Sequence, residues 1–170
     1  MLNVTARQEL MRTIVDTLGV VVEEARLDFG ENGLSVRVVD PSHVAMIKME
    51  VDSAAFDAWE IDETKLGLEM RKLTGILGQG GAGDMVELTY DDESGQATIK
   101  IGRIDLNLRP LDNTTLNPPN VPSLELPCGV TITGSELAKA LRATKLVGDL
   151  VNLSLTDSTF AVNVKGPTDS

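Results

Sequence analysis

The feature that most constrains this chain is that its opening pattern occurs twice. Leu27 to Val38 reads LDFGENGLSVRV and Leu153 to Val164 reads LSLTDSTFAVNV, with apolar residues recurring at matching positions. Upstream of each, Thr5 to Leu10 (TARQEL) is echoed by Thr133 to Leu137 (TGSEL), with Leu141 standing where Ile14 stood. Strand, helix and hairpin recurring in order at about a domain's spacing predict two copies of one unit, the second unfinished at Ser170. A half-built copy would expose a sheet edge and an apolar face. The expectation is that the natural protein continues past Ser170 or that something else covers that edge.

Between the copies the periodicity fixes an α+β plan. Leu2 to Val4 reads as a short strand, and Thr5 is positioned to cap a helix running to about Leu18, with Gln8 three residues later. Leu10, Met11, Ile14, Val15 and Leu18 share one face of it, while Arg12 and Asp16 lie opposite. Alternation then predicts the hairpin at Ala25 to Val38, a strand at 44–50, a brief helical turn from Ser53 to Trp59 and a strand at 64–69. A helix from Arg71 to Leu77 and strands at Met85–Tyr90, Gln96–Ile101 and Ile104–Leu108 follow. Pro110, Pro118, Pro119, Pro122 and Pro127 then punctuate an extended connector, since each fixes its own φ and removes a backbone donor. The domains are expected at 1–111 and 128–170, with the connector at 112–127.

Charge narrows the possible partners. With 26 acidic and 15 basic residues the net charge is -11, which opposes bulk attraction to phosphates and suits a salt-rich interior. The single cysteine, Cys128, forms no internal disulfide, and nothing resembles a signal peptide or a membrane span, so a reducing cytoplasmic setting without membrane contact is expected.

Catalytic chemistry finds little support. His43 is the only histidine, beside Ser42 but without triad spacing, and is read as a turn residue. Cys128 has no second ligand at metal spacing and is read as a small core residue at the start of a strand. The glycine run Gly78 to Gly83 ends a helix where a phosphate loop would begin one. Asp91, Asp92 and Glu93 sit in a hairpin turn and do not fill calcium-loop positions. Neither an enzyme, a cofactor nor a metal is expected.

Two surfaces stand out. On the helix Ser135 to Leu146, Lys139, Arg142 and Lys145 are three apart and form a basic stripe, with Leu137, Ala138, Leu141 and Leu146 left for a sheet. Arg7, Arg12, Arg71 and Lys72 are placed to extend it. Such a helix face would meet phosphates without reading base sequence. The connector residues Val121, Leu124 and Leu126 can either form an apolar peptide groove with Val39, Val44 and Met46 or simply lie on their own domain.

The segment Leu34 to Met46 (LSVRVVDPSHVAM) resembles the pattern L-x-x-x-A-x-D-x-S-H-V-x-L of archaeal sliding clamps of the proliferating cell nuclear antigen family. Pro119 to Pro127 (PNVPSLELP) is similar to the end of that family's interdomain connector. Together with the half-repeat, the resemblance covers the chain and looks most like clamps of salt-loving archaea or their viruses. It implies the DNA-clamp (processivity) fold, with helices inside, antiparallel sheets outside, and here an incomplete second domain.

It further implies a DNA polymerase processivity factor, a homotrimer at full length, that encircles duplex DNA in the cytoplasm near the nucleoid. DNA polymerase, clamp loader, flap endonuclease and DNA ligase would be bound through short Gln-containing motifs. Arg7, Arg12, Arg71, Lys72, Lys139, Arg142 and Lys145 would face DNA, and Val39, Val44, Met46, Val121, Leu124 and Leu126 would hold the motif. Ile104, Leu106 and Leu108 would pair with the next subunit. Gly75 and Gly78 stand where the family often has basic residues. A truncated, monomeric clamp-like interaction module is the alternative.

Overall fold

In the computed structural model, which describes residues 1–166, the chain divides into two compact units, Met1–Val121 and the chain from Pro122 onward. The first ten residues of the expected connector therefore belong to the first unit.

That unit is built from two antiparallel sheets. One has the strand order β5-β1-β7-β8-β9, from Ala58–Ile61, Leu2–Arg7, Met85–Asp91, Gln96–Ile101 and Ile104–Leu108. The other runs β4-β3-β2-β6, from Met46–Asp52, Gly33–Val39, Glu24–Gly30 and Thr64–Glu69. Helices α1 (Gln8–Gly19) and α2 (Met70–Leu77) pack on each other and on the sheets. Ile14, Val15 and Leu18 from α1 join Leu27, Phe29, Leu34, Leu88 and Ile99 in one core. No aromatic dominates it. Each buried aliphatic side chain contributes about 1.5–3 kcal/mol, so stability is spread over many contacts.

Alternation decides which face each strand buries. Ala25, Leu27 and Phe29 point inward from β2 and Leu34, Val36 and Val38 from β3, leaving Arg26, Asp28, Ser35, Arg37 and Val39 on the outer face. The turn requires Gly33, at φ 138°, because a Cβ there would stand 2.1 Å from the Val51 carbonyl oxygen.

Some local expectations change. Thr5 caps nothing: β1 continues to Arg7, held between β5 and β7, and Arg7 occupies the cap position without a side-chain hydrogen bond. Gln8, expected to complete a capping box, is 3% exposed and donates from Nε2 to the Leu77 carbonyl at 2.7 Å, tying α1 to the end of α2. The expected turn at Ser53–Trp59 is a 3-10 turn only over Ser53–Ala55. Trp59 lies in edge strand β5, its ring tilted against that of Phe56 at 4.6 Å and its Nε1 donating to the Gly30 carbonyl.

The second unit contains α3 (Gly134–Thr144) and the hairpin β10 (Val151–Leu155) with β11 (Phe160–Val164). Its register reproduces the first unit's. Phe29 faces Leu34 and Leu155 faces Phe160, while Asp28 faces Ser35 and Ser154 faces Ala161, a constant offset of 126 residues. α3 begins at the same offset from α1, so Ala140 corresponds to Ile14 and Leu141 to Val15. The inward side of α3 is made by Leu137, Ala140 and Thr144. Of the residues expected to face a sheet, Ala138, Leu141 and Leu146 are exposed, Leu146 at 88% because the helix ends before it. Cys128 is exposed and lies in no strand. The strand it was expected to start corresponds to β1, which is held from both sides, and no strand flanks Cys128 among the described residues.

Candidate functional site

The basic residues divide by whether another group already occupies them. On α1, Arg12 Nε donates to Asp16 Oδ2 at 3.2 Å, and Asp16 Oδ1 accepts from Thr74 Oγ1 at 3.1 Å. Asp16 thus ties the two helices and offsets the charge of Arg12. Arg71 lines the cleft with Asp16 and Thr74, while Lys72 lines a different one beside Glu69 and Arg109. Arg7 is exposed at the start of α1. The first unit's helix face is therefore mixed in sign, and Gly75 on α2 adds no charge.

The α3 face differs. Lys139, Arg142 and Lys145 are exposed, and none has a carboxylate within ion-pair distance among the described residues. At the shared offset they replace Thr13, Asp16 and Gly19 of the first copy. Arg142 and Lys145 close the helix where its dipole favours cations, and Thr133 caps the other end by accepting from the Glu136 N–H.

The apolar surface begins in a loop organised by one carboxylate. Asp40 Oδ1 accepts the Val44 and Ala45 N–H groups, each at 2.7 Å, and Oδ2 accepts that of Ser42 at 3.0 Å. These donors, Ala45 foremost, hold the Asp40 carboxyl below the ordinary carboxylate range. His43 takes φ 56° at the turn, leaving Val44 87% exposed and Met46 37% exposed beside half-buried Val39. This supports the reading of His43 as a turn residue.

The connector's first part is seated on the second sheet. The Leu111 N–H donates to the Gly67 carbonyl at 2.8 Å, and Asn113 Nδ2 donates to the Lys65 carbonyl at 2.7 Å. A Cβ at Gly67 would meet Leu116 Cδ1 at 2.7 Å, so the glycine is the notch that admits the connector. Sequence reasoning missed Gly67 because a glycine inside a strand does not reveal what approaches it. Val121, at the unit's end, is 45% exposed. In the second unit Leu124 and Leu126 are 71% and 76% exposed.

β9 forms one edge of the five-stranded sheet. Ile104 is exposed and Leu106 partly buried, but Leu108 is 5% exposed and its side chain belongs to the core. Only its backbone lies at the edge. Among the described residues no group of three or more metal-ligating side chains forms, and no helix is long and apolar enough to cross a membrane.

Residues 1–105 match the family profile described as "Proliferating cell nuclear antigen, N-terminal domain". A DNA polymerase sliding clamp of Methanosarcina barkeri is 35% identical over 170 residues, covering 99% of this chain and 69% of the relative. One from Haloarcula marismortui is 30% identical over 172 residues, covering 99% and 70%. Among solved structures, the A. fulgidus PCNA bound to the C-terminal region of FEN-1 matches with a TM-score of 0.93 at 30% identity, covering 99% of this chain and 69% of that one. The methanogen relative is thus more similar than the haloarchaeal one.

Proposed function

The chain belongs to the proliferating cell nuclear antigen family of DNA polymerase sliding clamps, and from that premise we propose that it holds short peptide segments of replication proteins on the surface around Val39, Val44 and Met46. Proteins of this family are non-catalytic scaffolds. The observation that carries the reading is the Asp40-locked loop, which keeps two large apolar side chains in solvent where a flexible loop would let them collapse. A preorganised apolar surface loses less entropy on binding. The A. fulgidus relative, which binds the C-terminal region of FEN-1, supports the reading, and Val121 at the end of the first unit, with Leu124 and Leu126 in the second, are further exposed apolar side chains of the same chemistry.

The partners are DNA polymerase, clamp loader, flap endonuclease and DNA ligase, each through a short Gln-containing motif. Calorimetry with such a peptide tests this, and affinity unchanged by Met46→Glu refutes it.

A second, finer reading is a ring subunit that encircles duplex DNA. It is favoured by the cations of α3, which have no carboxylate partner among the described residues, and by the place of β9, with Ile104 and Leu106, at the edge of its sheet among those residues. Enclosure would let weak phosphate contacts from Lys139, Arg142 and Lys145, with Arg7, Arg12, Arg71 and Lys72, coexist with sliding, and would raise a tethered polymerase's effective concentration. The net charge of -11 is compatible with this and with work in concentrated salt inside an archaeal cytoplasm. Mass in solution at several salt concentrations separates a trimer from the monomeric module.

A further inference from the structure

The outer face of the β4-β3-β2-β6 sheet carries a row of cations in a strongly acidic chain. Arg37 stands opposite Lys48, and it lines one cleft together with Arg26. Two of the three are satisfied. Arg26 makes a forked pair with Asp28 at 2.7 and 3.0 Å, and Lys48 meets Glu50 at 2.7 Å.

The side chain of half-buried Arg37 makes neither a hydrogen bond nor an ion pair among the described residues. Its nearest cross-strand carboxylates, Asp28 and Glu50, are taken, and Glu24 on the next diagonal does not reach ion-pair distance. A half-buried guanidinium flanked by two cations lacks an anion.

Space for that anion exists. Arg37 lines a cleft of about 160 Å³ with Arg26, Val39 and the connector at Leu116 and Asn117; Glu24 is the one carboxylate lining it, against two guanidinium groups. Arg37 and Val39 lie on the same face of β3 two residues apart, about 6.6 Å along the strand. An extended peptide anchored at Val39 would pass Arg37 with its neighbouring residues.

We infer that Arg37 and its cleft form an ionic subsite for a carboxylate side chain flanking the apolar anchor of a bound partner peptide. The inference rests on the peptide-surface reading above and adds a selectivity to it: among peptides with equal anchors, those with a Glu or Asp beside the anchor bind more tightly. Because the guanidinium is only half-buried, the preference is modest and weakens with salt.

The test is calorimetry of the whole chain with synthetic peptides that share one Gln-containing apolar motif and carry either Glu or Gln, on one flank or the other. Unsubstituted protein should bind the Glu peptide of one flank about 3–10-fold more tightly than its Gln counterpart at low salt. Arg37→Gln should abolish that preference while leaving the Gln peptide's affinity intact. Lys48→Gln, which removes an equal charge already paired with Glu50, should preserve it. A preference that persists in Arg37→Gln, or that is lost equally in Lys48→Gln, overturns the subsite and leaves the peptide surface standing. Failure of every peptide to bind unsubstituted protein overturns the peptide surface itself and the subsite with it.

Discussion

Replacing Lys139, Arg142 and Lys145 together by Ala tests the DNA-facing role most directly, because the structure sets the size of the effect. Each side chain is exposed without a carboxylate partner among the described residues, so each is free to displace one counterion from a phosphate. Three lost contacts should flatten the dependence of log affinity on log salt by about 2.7, since each phosphate contact contributes about 0.9 to the slope. Over a fourfold rise in salt, the unsubstituted protein should then lose about 40-fold more affinity than the variant. Fluorescence anisotropy on duplexes of unrelated sequence, titrated at several salt concentrations, measures both slopes. Thermal unfolding should shift little, by no more than the weak dipole interaction of Arg142 and Lys145, since none of the three makes an ion pair among the described residues. Equal slopes would refute the assignment. Asp16→Asn supplies the converse, releasing Arg12 and steepening the slope by up to about 0.9.

Three further outcomes follow from the geometry. Gly67→Val should unseat the connector through the clash at Leu116, costing about 1–3 kcal/mol in denaturant unfolding and opening residues 112–121 to proteolysis; an unchanged cleavage pattern would refute the notch. Gln8→Leu should leave the Leu77 carbonyl without its buried donor and lower stability by about 1–3 kcal/mol in calorimetric unfolding. Asp40 has a folded pKa below its ordinary 3.8, so its contribution is full above that value and disappears as pH falls through the folded pKa; amide shifts of Val44 and Ala45 should move together in that acid range and stay constant through neutrality.

Much of the plan could be read from side-chain alternation, because a period of two leaves a strand little choice of face. The β2-β3 hairpin was legible in Ala25, Leu27, Phe29, Leu34, Val36 and Val38, and its copy even in register. Legibility failed where long-range partners decide local form. Thr5 has the chemistry of a cap, yet pairing with β5 and β7 on both sides keeps it extended. Leu146 has the hydrophobicity for an inward face, but α3 stops at Thr144 and the smaller Ala140 and Thr144 turn inward. The basic stripe was visible as spacing. That Arg12 is offset by Asp16 while Arg142 has no carboxylate partner among the described residues required the ion pairs themselves, although the four-residue spacing from Arg12 to Asp16 offered a hint. On the proposed peptide surface, Val44 and Met46 could be picked out as apolar residues, but the role of Asp40 in displaying them depends on three backbone donors that no periodicity announces.

The constant offset between the two copies makes the molecule its own reference. A substitution in one hairpin or helix has a counterpart 126 residues away in the other, in the same tube. Exchanging Asp16 with Arg142 would relocate charge from one repeat to the other without altering composition, and Asp16→Asn alone would separate the effect of where a charge sits from the loss of the Arg12 pair.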